Sequence, residues 1–573
     1  MIWGVIGIFL LVYLQVVLVG YYQKFHDTFN QQLFDFIFDD TGAILVTLVK
    51  EYNLLPKLVG ITLLTGMLGW LLYHWLKRPI LPFLEQVKGW KKGVAATLLL
   101  LLLVISARGS LIGRPAQWKD AAVTDDYFLN LSTVNPEMAL YYALGVYQEM
   151  NSSKGLNNFL PDGDIRKAVK EYTGTDRDFP DLSGYIEHVA KGNINGKPSH
   201  IFIIVMESYH SWPMLPAYAE LGLANGLKRI ASRGIWVKRF LPASVSTMRS
   251  LSAIFTGLSN AGLLLNYEAG TNHPLPTSLT TLFEDLGYET NLFYGGYLSW
   301  QKLERFAINQ GFDHIYGAGH FPRGQHSNEW GVDDETLFKF IEDKVSSDSP
   351  HSVSLIMTTT NHPPFDLDVD DKGFPLKKIP QHFLQHLPEK FDPEQYRQEL
   401  GHFWYADRLL ESFVLKMHKR FPNALFAITG DHYGGNHISD QASLFERRSV
   451  PLVLFGPNIL KNKTLPEHQV GTHLDMLTTL VELSATEGHK YSSLGRDLLQ
   501  PPKSLNTITA NSASAMTADT LYFIQRQQWK PANMGKDELK RMKHYHHLLQ
   551  GLSWWMVRYG MVLESPTTPS KQY

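Results

Sequence analysis

The residues able to do chemistry sit in a few short runs. Thr429-Gly430-Asp431-His432-Tyr433-Gly434-Gly435 sets a carboxylate beside an imidazole, directly after the apolar stretch 424–428. Just past the carboxyl end of a buried strand, such a pair suits a metal ion or a phosphate. Upstream, Glu207 closes the apolar run 201–206. A carboxylate there needs a cationic partner, because isolated buried charge is costly. A metal ion is one such partner, and a salt bridge to a buried arginine is the other. Thr247 lies in Ala-Ser-Val-Ser-Thr-Met-Arg-Ser-Leu, with Ser244 and Ser246 as candidate caps of a helix running to Thr256. A hydroxyl at a helix amino terminus beside a metal can be deprotonated, and the helix end favours anionic phosphate. Taken alone, Thr247 reads equally well as a plain cap. With Glu207, Asp431 and His432 it completes an oxygen-rich site with one nitrogen, suited to Mn²⁺ or Zn²⁺ over a soft metal. His362, in Thr-Asn-His-Pro-Pro-Phe, is a candidate to bind a phosphate oxygen or move a proton, with a structural histidine held by the Pro-Pro turn as the alternative. His437, five residues past His432, is a candidate for the same pocket. His402 and His473, which precede or open helices, read as structural or peripheral.

These residues need a frame. Five short apolar runs, 201–206, 290–294, 353–357, 424–428 and 450–455, alternate with helical patterns at 220–232, 247–258, 277–287, 334–344, 401–419 and 473–484. Strands apolar on both faces and separated by helices predict an α/β domain with a mainly parallel central sheet. Ligands of such sheets bind beyond the strands' carboxyl ends. Glu207-Ser208, Tyr294-Gly295-Gly296, Thr360-Asn361-His362 and Gly430-Asp431-His432 each follow a predicted strand, so all four are expected on one rim. Their joint placement is the argument for an active site.

Composition narrows the remainder. With 573 residues the chain is too long for one ordinary domain, and its net charge of -2 lacks the basic excess of a nucleic-acid binder. The absence of cysteine excludes disulfides, thiolate zinc sites and cysteine nucleophiles. The stretches 2–22, 58–75 and 93–107 read as membrane spans. The loop between the second and third carries Lys77, Arg78, Lys88, Lys91 and Lys92 against Glu85, whereas 23–57 is rich in acids. The positive-inside rule puts the basic loop in the cytoplasm and everything after Arg108 outside. The expected organisation is a transmembrane region at 1–108, a membrane-proximal helical linker at 109–198, a catalytic domain at 199–500 and a C-terminal extension at 501–573. In that extension 536–550 reads as a basic helix, and Trp554 and Trp555 suggest packing, with the membrane face as one candidate.

The runs Ile-Ile-Val-Met-Glu207-Ser-Tyr, Ser-Thr247-Met-Arg-Ser-Leu, Phe-Tyr-Gly-Gly-Tyr-Leu-Ser-Trp300, Trp330-Gly-Val-Asp-Asp-Glu, Thr-Asn-His362-Pro-Pro-Phe, Tyr405-Ala-Asp407 and Thr-Gly-Asp431-His432-Tyr-Gly resemble, in order and spacing, the lipoteichoic acid synthase family of the alkaline phosphatase–sulfatase superfamily. The resemblance implies one Mn²⁺, with Zn²⁺ or Mg²⁺ as alternatives, held by Glu207, Thr247, Asp431 and His432. It implies Thr247 as the nucleophile that takes glycerol phosphate from phosphatidylglycerol and passes it to an extracytoplasmic glycan or glycolipid. His362 matches a histidine that contacts the glycerol-phosphate group. The chain departs from the family in three places: three spans where members usually have five, Ser246 and Met248 around the threonine, and Trp404 before Tyr405. It is about as similar to periplasmic phosphoglycerol transferases that act on glucans. Phosphoethanolamine transferases share the fold and the threonine but usually carry several disulfides, which this chain cannot form. A sulfatase needs Cys or Ser in a C/S-x-P-x-R run, and none is present. A phosphodiester hydrolase and a non-catalytic sensor are the other readings.

Overall fold

The structure is a computed structural model of the chain. In its C-terminal part it describes residues 155–322, 327–328, 330–345, 351–384, 392–434, 437–439, 442–502, 507–524 and 534–564. Nearer the amino terminus it describes mainly 2–25, 54–77 and 132–150, with scattered residues between. The chain divides into two compact units, Met1–Ile37 with Ile44–Gln148, and Phe38–Ala43 with Glu149–Tyr573.

In the first unit the helices Ile2–Phe25 and Leu54–Lys77, 24 residues each, pack together. Leu18, Tyr21, Phe29, Val134, Ala139 and Ala143 bury a small cluster. The spans expected at 2–22 and 58–75 fall on these two helices, and the one expected at 93–107 lies largely outside the described residues. Among the described residues no helix is long and apolar enough to cross a membrane, so the three expected spans are not shown.

The second unit is built on a seven-stranded sheet. In chain order its strands are β1 (His200–Met206), β2 (Ile235–Val237), β3 (Glu289–Tyr294), β4 (His314–Tyr316), β5 (Ser352–Met357), β6 (Leu425–Gly430) and β7 (Leu452–Phe455). Across the sheet the order is β2-β7-β6-β1-β5-β3-β4. The run β6-β1-β5-β3-β4 is parallel throughout. β7 joins β6, and β2 joins β7, antiparallel. All seven residues of β1 are buried, as expected of a central strand covered on both faces. Alternation divides them: Ile201, Ile203 and Val205 enter one core, and Phe202, Ile204 and Met206 the other. Helices α1 (Thr247–Thr256), α4 (His473–Ser484) and α5 (Lys536–Tyr559) contribute to the first core, and α2 (Asp334–Lys344) and α3 (Pro393–Arg420) to the second. The register sets Gly430 opposite Met206, and Met357 opposite both Val205 and Tyr294, so four strands end level with one another.

Two segments pack differently from expectation. Within the stretch read as a linker, Leu156, Ile165, Val169 and Leu182 enter the first core, and Glu187–Val189 pairs antiparallel with Lys490–Ser492. At the other end, Trp554 and Trp555 face the domain interior rather than a membrane surface. Met542, Tyr545, Leu549, Leu552 and Met556 recur at three- and four-residue spacing on α5, which makes one buried stripe. That stripe carries α5 onto the helix Ile165–Thr173 and the strands Thr509–Ala510 and Ser514–Met516.

Candidate active site

Each side chain of the site is presented by the end of a strand or the start of a helix. β1 stops at Met206, and Glu207 and Ser208 turn away from the sheet. Ser208 holds φ at 48°, a left-handed conformation uncommon for a residue with a side chain. The turn aims the Ser208 N–H at Asp431 Oδ1, 2.8 Å away, and the Ser208 hydroxyl at Glu207 Oε1, also 2.8 Å away. Asn361, in the loop after β5, donates through Nδ2 to the carbonyls of Glu207 and Ser208, both at 3.2 Å.

Thr247 is the first residue of α1. Ser246 occupies the cap position in extended backbone, but its side chain makes no capping bond. The Thr247 hydroxyl donates toward Glu207 Oε2 at 3.4 Å. Just past β6 the Asp431 N–H donates to Met206 O at 3.1 Å, which joins the two strand ends. Ligand atoms of Glu207, Asp431 and His432 all lie within 4.8 Å of one another. The structure therefore brings together four of the residues singled out in the sequence: Glu207, Thr247, Asp431 and His432.

The electrostatics of this cluster fit a cation. Asp431 is fully buried and Glu207 nearly so. Burial first, and the charge of Asp431 second, push the Glu207 carboxyl well above its ordinary range, while the Ser208 and Thr247 hydrogen bonds pull it back in part. Asp431 Oδ1 accepts from the N–H groups of Ser208 and His432, but its buried Oδ2 accepts no hydrogen bond. His432 Nδ1 lies 2.9 Å from the Tyr433 carbonyl, which can only accept, so Nδ1 carries the proton. That leaves Nε2, 3.3 Å from Asp431 Oδ2 and 3.9 Å from Glu207 Oε1, as the ring atom on the side of the two carboxylates. An unused carboxylate oxygen, a second buried carboxylate and a correctly oriented imidazole form the donor set of a hard or borderline divalent ion.

His362 follows β5 on the same edge of the sheet, its ring 4.2 Å from that of Trp330. His437 is buried against the rings of Trp212 and Tyr218 at 5.2 and 5.6 Å. Burial lowers its pKa to about 4, and it is not part of the Glu207–Asp431–His432 cluster.

Two supporting residues, Asp334 and Asp407, gain no individual role from the sequence alone. Asp334, at the start of α2, accepts from the N–H groups of Thr359 and Thr360 at 3.0 Å each and so fixes the loop that carries Asn361 and His362. Its burial raises the carboxyl pKa to about 6. Asp407 on α3 accepts from the Tyr209 hydroxyl at 2.7 Å and from the N–H groups of Gly226 and Leu227 at 2.6 and 2.9 Å. Both aspartates lie in runs noted for their resemblance, but nothing in the sequence names their partners. His473, read as structural or peripheral, is fully buried and touches the end of β6. The C-terminal segment also reaches the site. Asn511 Nδ2 donates to Pro242 O at 2.9 Å and Ser512 N–H to Ala243 O at 3.1 Å, just before Thr247.

Comparison with known proteins agrees with this architecture. Residues 199–485, half of the chain, match the family described as Sulfatase. Lipoteichoic acid synthase 1 of Bacillus subtilis is 26% identical over 258 residues, which cover 42% of this chain and 37% of that protein. The chain thus spans little more than a third of that relative. Among solved structures, a protein of the alkaline phosphatase superfamily from Vibrio parahaemolyticus superposes with a TM-score of 0.53 at 19% identity, covering 69% of this chain and 97% of that one. The lipoteichoic acid synthase LtaP of Listeria monocytogenes gives 0.50 at 17% identity, covering 69% and 98%. These two likenesses are likenesses of fold. With half its length matched and the α/β sheet in place, the chain belongs to the sulfatase family.

Proposed function

We propose that this protein is a metal-dependent transferase that moves a glycerol-phosphate group from phosphatidylglycerol, by way of Thr247, to an extracytoplasmic glycan or glycolipid. The observation that carries the reading is the Thr247 hydroxyl, at the amino end of α1 and 3.4 Å from Glu207 Oε2, beside Asp431 and His432. A relative named as a lipoteichoic acid synthase supports phosphate head-group chemistry on this fold. Sulfate-ester hydrolysis is disfavoured, because the chain has neither cysteine nor a C/S-x-P-x-R run.

Glu207, Asp431, His432 and Thr247 would hold one divalent cation, Mn²⁺ in first place, which when bound polarises phosphoryl oxygens and acidifies a coordinated hydroxyl. The chain's own groups then account for the steps. Thr247 Oγ1 attacks phosphorus, the bond from phosphorus to the diacylglycerol oxygen breaks, and diacylglycerol leaves with the proton from threonine. Glycerol phosphate stays on Thr247. An acceptor hydroxyl attacks the same phosphorus, its proton passes to the departing Thr247 oxygen, and the free hydroxyl is restored. First-turn N–H groups of α1 favour the anionic phosphate throughout. His362, on the same edge, contacts the glycerol-phosphate group, and His437 supports the substrate pocket from its aromatic surroundings.

In this reading the helices before residue 108 anchor the chain in the cell membrane as a multi-pass protein, and the catalytic unit faces outward, where phospholipid donor and acceptor meet. The basic loop 77–92 supports that orientation. The test is a donor comparison. The full chain is incubated with radiolabelled phosphatidylglycerol or phosphatidylethanolamine, and release of diacylglycerol is measured. Release from phosphatidylglycerol alone is expected. Release only from phosphatidylethanolamine would reassign the donor to the phosphoethanolamine class.

A further inference from the structure

His473 lies outside the ligand cluster yet touches both elements that build it. It opens α4 directly after the strand Val470–Thr472, which runs parallel to Arg239–Leu241 with Thr472 opposite Leu241. That register brings His473 beside Ala243, four residues before Thr247. The Ala243 N–H donates to His473 Nδ1 at 3.2 Å. Across the ring, Nε2 lies 3.0 Å from the Gly430 carbonyl and 3.3 Å from Thr429 Oγ1. Gly430 immediately precedes Asp431. A backbone N–H can only donate and a carbonyl can only accept, so the ring is neutral with its proton on Nε2. Phe240 closes over it at 5.6 Å between centroids, and the side chain is fully buried.

We propose that His473 is a positioning residue whose single neutral imidazole locks the segment leading to Thr247 against the strand end leading to Asp431. A protonated ring or the other tautomer would break one of the two bonds. The inference depends on the transfer reading only where it predicts turnover.

The two halves of the bridge can be cut separately. Asparagine places an oxygen near the position of Nδ1, and glutamine places an amide nitrogen near that of Nε2. His473→Asn therefore keeps the acceptor for Ala243 and drops the donor to Gly430, and His473→Gln does the reverse. Backbone hydrogen exchange, calorimetric titration with Mn²⁺ alone, and transfer kinetics are measured on the purified full chain. In His473→Gln, exchange is expected to quicken across 243–247. Its kcat falls about tenfold or more at unchanged KM, because small misplacements of a reacting group cost up to about 100-fold. In His473→Asn, exchange quickens across 429–432, and Mn²⁺ affinity falls more than in the glutamine variant. Equal changes in both variants, or losses that only track the folded fraction, would reduce His473 to a packing residue and overturn the proposal. If the wild type moves no head group, the functional reading fails, while the exchange pattern still decides the role of His473.

Discussion

Ser208 donates its backbone N–H to Asp431 Oδ1 at 2.8 Å, and so joins the ends of two neighbouring strands. Its hydroxyl does the same for Glu207 Oε1. One residue thereby orients both carboxylates of the cluster, at the expense of a left-handed backbone. Ser208→Ala keeps the backbone bond and removes the hydroxyl. Losing such a partner typically lowers metal affinity by about 10–100-fold. Calorimetry with Mn²⁺ should show a loss in that range with the fold intact. Ser208→Gly relieves the backbone strain and should lose affinity to the same extent, because the hydroxyl and not the strain is what matters.

Stability should fall in mild acid. His473 and His546 are fully or nearly buried, and desolvation lowers both pKa values from the ordinary 6.5 to about 3. In the unfolded chain each takes up a proton below about pH 6.5, while in the folded chain neither does until about pH 3. The unfolded state thus binds more protons over that window, so stability is fully present above pH 6.5 and is lost as pH falls toward 3. Each should contribute on the order of 1 kcal/mol per pH unit. Urea unfolding at pH 7, 6 and 5 measures the slope, and His546→Gln should make it shallower. A flat profile would mean that the two rings are not held neutral.

The C-terminal helix should prove part of the catalytic unit. Gln550 Oε1 accepts from the Ser259 hydroxyl at 2.9 Å and from the Ala261 N–H at 3.1 Å, just past the end of α1. Its Nε2 donates to Asn511 O at 3.1 Å. Gln550→Leu strands all three buried partners, each at about 1–3 kcal/mol. A drop of several kcal/mol in unfolding free energy is expected, with the remaining folded protein slower in turnover. Denaturant titration together with a rate per folded molecule checks both parts.

Much of this was readable in the chain. Glu207, Asp431 and the turns at 294–296 and 360–362 each follow a mainly apolar run, and those runs are four neighbouring parallel strands with level ends. Direction was not readable. The run 450–455 is as apolar as the others, yet β7 is antiparallel to β6, because burial on both faces says nothing about orientation. The backbone of Ser208 was hidden as well, since serine carries no signal for a left-handed turn. His473 was readable as structural, but not its partners, which lie 230 and 43 residues away in sequence. Trp554 and Trp555 were readable as packing residues, but not their partner, because the helix Ile165–Thr173, which α5 covers, lies more than 300 residues upstream.

The central claim is that Thr247 carries the transferred group. Purified full chain is mixed with phosphatidylglycerol and Mn²⁺ without acceptor, quenched in acid, digested and examined by mass spectrometry. A peptide containing Thr247 should gain the mass of one glycerol phosphate less one water, and Thr247→Ala should lose both the adduct and diacylglycerol release while staying folded. Diacylglycerol release at the wild-type rate from Thr247→Ala would contradict the account.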